Sequence, residues 1–132
     1  MVEIHGWITI RETYKVIDTD ETDKIIKSLV KDLKNIEYLN PEIKWMNGQS
    51  YLQLSLYSNH WGEDCDEIIK IYKLIADKAE GSYGLLYVYN DEDRIDFNEF
   101  IVYRLARGKV EAYKDKYLSP YIPVIEDEVD DI

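Results

Sequence analysis

Along residues 2–10 the chain alternates. Val2, Ile4, Ile8 and Ile10 fall on one side with Gly6 among them, and Glu3, His5, Trp7 and Thr9 fall on the other. A period of two is that of a strand with one buried face. Asp18, Thr19, Asp20, Glu21, Thr22 and Asp23 follow, offering N-cap side chains and acids suited to a helix N-terminus. Ile25, Ile26, Leu29, Val30, Leu33 and Ile36 then recur at helical spacing with lysines opposite, predicting a first helix that is over by Asn40 and Pro41.

Residues 42–46 read as a short strand and residues 51–57 as its return. Leu52, Leu54 and Leu56 lie on one side, Tyr51, Gln53, Ser55 and Tyr57 on the other. Asn47-Gly48 between them is a strong hairpin signal, because both positions of the favoured turn need positive φ. Ser58, Asn59, His60, Trp61 and Gly62 lead into a second helix, with Asp64 and Glu67 as its capping box. Its apolar stripe is Ile68, Ile71, Tyr72, Ile75, Ala76 and Ala79, and Gly81 is the expected stop. Residues 83–89 and 97–106 read as two further strands around an acidic loop, and Gly108 as a turn into a short strand near Val110.

The order strand-helix-strand-strand-helix-strand-strand predicts an α+β fold. Its expected form is a mostly antiparallel sheet of five or six strands with both helices on one face, in a split βαβ arrangement. Residues 1–116 form one domain in this reading, and residues 117–132 an extended acidic tail. The 132 residues suit a single domain, which buries about two-thirds of its unfolded surface without metal or disulfide.

Two helices on one face leave the other to water or to a partner. Trp7, His5, Tyr51, Tyr57 and, by alternation, Tyr87 and Tyr89 belong there. Cross-strand pairing accounts for most of the 12 tyrosines and 3 tryptophans. Those left exposed are the residue types that anchor protein interfaces.

The net charge is -11, so nucleic acids and anionic membranes are repelled and a basic protein is attracted. Acids cluster at residues 18–23, 63–67, 91–96 and 126–131, and helix capping explains only the first two. One cysteine, Cys65, permits no internal disulfide, and no apolar run reaches the roughly 18 residues of a membrane span. With no signal-peptide pattern at the N-terminus, a cytoplasmic location is expected.

Catalytic chemistry finds little support. Two histidines and one cysteine give no metal-ligand spacing, and no cofactor is implied. Neighbouring acids make Cys65 a poor nucleophile. Asp91, Glu92, Asp93 and Asp96 lack calcium-loop spacing.

Several segments in order resemble one family. They are His5 to Glu12; Tyr83 to Val88 with Asp91, Glu92 and Asp93; Asn98, Glu99 and Phe100 through Lys109; and Leu118 to Pro123 with Glu126 and Asp127. Together they are similar to the Imm7 immunity proteins of bacterial polymorphic toxin systems. The resemblance implies a non-enzymatic antitoxin that binds a cognate toxin domain in the producing cell, and it supplies no catalytic residues. A basic toxin, such as a nuclease, suits the charge. Trp7, Tyr57, Trp61 and Tyr89 are the expected anchors, and Asp91, Glu92, Asp93 and Asp96 the steering acids. An adaptor without a toxin partner is the alternative reading.

Overall fold

A computed structural model describes residues 1–12, 21–33 and 41–119 of the chain. Its elements are β1 (Val2–Ile10), α1 (Glu21–Leu33), β2 (Glu42–Met46), β3 (Gln49–Ser58), α2 (Glu63–Lys78), β4 (Tyr83–Asn90), β5 (Ile101–Ala106) and β6 (Lys109–Lys114). The strands form one sheet in the order β2-β3-β1-β4-β5-β6, with every neighbouring pair antiparallel. β1 therefore runs parallel to β2 across β3, and β3 runs parallel to β4 across β1. Parallel strands need a long crossover, and α1 and α2 supply the two. Hairpins add β5 and β6 at the far side.

The register explains the core. Ile4 lies between Leu56 and Val88, Gly6 between Leu54 and Leu86, and Ile8 between Leu52 and Gly84. These aliphatics share one buried cluster with Leu29 and Leu33 of α1 and with Ile68, Ile71, Tyr72 and Ile75 of α2. Both helices thus cover the same face, as expected from the sequence. Gly6 is small for a reason: a Cβ there would collide with the Tyr72 hydroxyl and stand 2.6 Å from Leu86 Cδ1. That hydroxyl donates to the Leu85 carbonyl at 3.0 Å, and burial pushes its pKa well above the ordinary tyrosine value. It therefore remains a donor.

Two turns repeat one device. Asn47 and Gly48 have φ of 52° and 73°, and Arg107 and Gly108 have 49° and 74°. Positive φ at both positions matches the twist of a tight hairpin.

Several boundaries differ from the sequence reading. The N-cap of α2 is Gly62 in extended backbone, with no side-chain cap bond. Glu63, Asp64 and Asp66 occupy the first turn, where their charge favours the helix dipole without capping it. The helix stops at Lys78 with Ala79 as C-cap, ahead of Gly81. β5 begins at Ile101, because Asp93 Oδ1 accepts the N–H groups of Ile95 and Asp96 and holds the preceding loop in turns. β6 is a full strand. Of the expected tail, Tyr117 and Leu118 lie in a turn over residues 116–118 and their N–H groups bond Asp115, while Ser119 Oγ accepts from Phe100 N at 3.0 Å. Residues 120–132, residues 18–20 and Ile36 lie outside the described residues. No helix among the described residues is long and apolar enough to cross a membrane.

Candidate functional site

The face of the sheet away from the helices is open. Four rows of side chains cross it. Tyr57, Glu3 and Tyr89 form the first, and Ser55, His5, Tyr87, Val102 and Tyr113 the second. The third is Gln53, Trp7, Leu85, Arg104 and Glu111. The fourth is Lys44, Tyr51, Thr9 and Tyr83. Trp7 is 41% exposed and Tyr57 63%. Rows on one face are roughly 7 Å apart, so the Trp7 and Tyr57 rows are separated by about 13 Å along the strands.

Ring contacts hold these side chains in place. His5 meets Tyr57 edge to face at 5.4 Å, and Trp7 meets Tyr83 at 6.2 Å. Arg104 stacks on Tyr113 at 4.9 Å and donates to its hydroxyl at 3.0 Å. The Tyr113 hydroxyl in turn donates to Glu111, which lowers the Glu111 pKa, with Arg104 adding to the effect. Side chains so supported lose little further freedom on meeting a partner.

The eight residues expected at an interface do not all gather on this face. Tyr89 belongs to it by register but is only 3% exposed, because Phe100 from the loop before β5 packs against it and against Tyr87. Trp61 lies on the helix side. It packs on the core, and its Nε1 donates to Asp66 at 2.9 Å. There it lines a hollow of about 330 Å³ with Val88, Ile101, Tyr103, Asp96 and Glu99.

The acidic loop wraps the end of the sheet between the two faces. Asp91 accepts from the Met1 amino group at 2.5 Å, and Glu92 meets His60 Nδ1 at 2.6 Å. Asp96 pairs with Lys114 at 2.9 Å on the helix side. Asp93 is the turn-maker, and the N–H groups of Asp96 and Ile95 hold its pKa below the usual aspartate value. Asp91, Glu92 and Asp93 remain exposed.

Tyr83 and Tyr113 are exposed aromatics of the open face that the sequence reading missed. Tyr83 is legible from the parity it shares with Tyr87. Tyr113 is not legible in this way, because the sequence pattern marks only a short strand near Val110 where β6 runs to Lys114. Cys65 is buried and its thiol pKa is raised, first by burial and only then by Asp66 and Asp64. Burial therefore outranks the acidic neighbours to which the sequence reading assigned the effect. Among the described residues, no group of three or more His, Cys, Asp or Glu is placed to hold a metal ion.

These features define an α+β protein with one sheet face packed under two helices and the other open, aromatic and edged with acids. The chain belongs to the immunity protein 7 family, Imm7, whose sequence model matches residues 1–127. It is an immunity protein, and a cognate toxin is the partner that membership implies. Neither a curated protein nor a solved structure matches it.

Proposed function

We propose that the chain neutralises its toxin by laying the open sheet face on the toxin surface. Trp7 and Tyr57 are the anchors, and Asp91, Glu92 and Asp93 draw in a basic partner. The observation behind this reading is the open face itself. It is a broad, preorganised aromatic surface on a chain of net charge -11. Aromatic anchors supply most of the affinity of such an interface, and complementary charge supplies the encounter rate. Tyr89 and Phe100 support the face from within, and Trp61 and Asp96 flank it on the helix side. The mode of action is occupation of the toxin in the cytoplasm of the producing cell. It needs no catalytic group, in keeping with immunity families, which are in general non-catalytic.

The test pairs the chain with its cognate toxin. Trp7→Ala with Tyr57→Ala weakens the complex by at least about a hundredfold, chiefly through faster dissociation. Asp91→Lys with Glu92→Lys slows association and removes much of its salt dependence. Lys70→Ala, on the exposed side of α2, leaves both rates unchanged. Wild-type binding by the double alanine variant would overturn the proposal.

A further inference from the structure

Among the described residues β2 is an edge strand, and the outer main-chain groups of Glu42–Met46 have no ladder partner there. The tight turn at Asn47 and Gly48 makes Met46 and Gln49 a hydrogen-bonded pair. Antiparallel pairing alternates bonded and non-bonded positions. Glu42, Lys44 and Met46 therefore turn their N–H and C=O groups toward β3, while Ile43 and Trp45 turn theirs outward.

We propose that this edge pairs antiparallel with the same edge of a second copy of the chain, with Ile43 on the two-fold axis. In that register the two Ile43 residues exchange both main-chain hydrogen bonds. The Trp45 N–H of each copy meets the Pro41 carbonyl of the other, at the position where proline's missing N–H ends the ladder. On the open face Glu42 stands opposite Lys44 of the second copy, and Lys44 opposite Glu42. Within one chain Lys44 Nζ already lies 3.4 Å from Glu42 Oε1, so the four charges alternate around a square. On the other face Trp45, 64% exposed in the single chain, covers Pro41 of the second copy.

A lysine in the middle of an edge strand ordinarily blocks pairing. Here the register places a carboxylate opposite it. The other edge matches less well: centred on Val110 it sets Lys109 against Glu111, a carboxylate already engaged within its own chain. Centring β6 on Ala112 sets Val110 against Lys114. A two-fold axis perpendicular to the sheet leaves both open faces on the same side. Two five-residue strands bury less than the roughly 1,000 Å² of a tight interface, so the dimer dissociates on the order of 0.1 mM.

The self-pairing is independent of the toxin reading, and its test needs no toxin. Sedimentation equilibrium of the full chain from about 10 μM to about 1 mM shows a monomer–dimer equilibrium. Lys44→Glu places four carboxylates around the axis and Glu42→Lys places four ammonium groups. Each single reversal weakens the dimer by at least about tenfold. The double reversal, Glu42→Lys with Lys44→Glu, restores the alternation and the dimer. A chain that stays monomeric throughout overturns the proposal. So do single reversals that dimerise like wild type, or a double reversal that fails to recover.

Discussion

Gly6 and Tyr72 are expected to be energetically coupled, although 66 positions separate them in the chain. The perturbations are Gly6→Ala, Tyr72→Phe and the pair. In Gly6→Ala the new methyl would overlap the Tyr72 hydroxyl and press on Leu86 Cδ1 at 2.6 Å. Overpacking of this kind costs about 1–3 kcal/mol, offset by the roughly 0.5–1 kcal/mol that a strand gains when glycine is replaced. The net loss is then about 1–2 kcal/mol. Tyr72→Phe removes the bond to the Leu85 carbonyl, a loss of about 1 kcal/mol. Phenylalanine also removes the nearest obstacle to the new methyl. The double variant should therefore be about 1 kcal/mol more stable than the sum of the single losses. Relief is partial, because Leu86 Cδ1 and Tyr72 Cζ, at 3.2 Å, remain in place. Urea unfolding followed by tryptophan fluorescence gives the three changes, read as midpoints at constant slope. Additivity to within about 0.3–0.5 kcal/mol would refute the close approach of α2 to β1.

Asp93 has a depressed pKa in the folded chain. Its contribution is therefore present above the unfolded value and is lost as pH falls through the lower, folded value. The amide resonances of Ile95 and Asp96 should titrate with a midpoint below that of an ordinary aspartate, and Asp93→Asn should abolish this titration. Cys65 is buried with a raised pKa, so a thiol reagent at neutral pH should label it only as fast as the protein opens. Adding denaturant should speed labelling by orders of magnitude, and rapid labelling of the native chain would contradict its burial.

The parts of the fold legible in the sequence were those where one physical cause dominates. The alternation of Val2, Ile4, Ile8 and Ile10 reflects a single buried face, and β1 spans the residues it marked. Asn47 and Gly48 are constrained by φ alone, and the turn lies there. The stripe from Ile68 to Ala76 is buried as its spacing implies. Boundaries were less legible. An acid in the first turn of α2 serves the dipole much as a cap would, so Asp64 could not be told from the N-cap, Gly62. The segment from Phe97 to Phe100 has strand-like residues, but Asp93 binds the backbone around Asp96 and delays β5.

For the candidate site, side-chain parity gave the face. It assigned Trp7, His5, Tyr57 and Tyr87 to the side opposite the core, where the structure has them. Parity is blind to what a loop lays over a strand. Phe100 covers Tyr89, and nothing local to residue 89 announces it. Trp61, in the loop before α2, could turn to either face, and packing on the core took it to the helix side.

The most direct test of the toxin-binding account is a hydrogen-exchange footprint of the chain in complex with its cognate toxin. The account predicts new protection in β1, β4 and β5 around Trp7, Tyr87 and Arg104, and in residues 91–93. The exposed side of α2 should keep the exchange of the free chain. Protection confined to α1 and α2, with the open face exchanging as before, would contradict it.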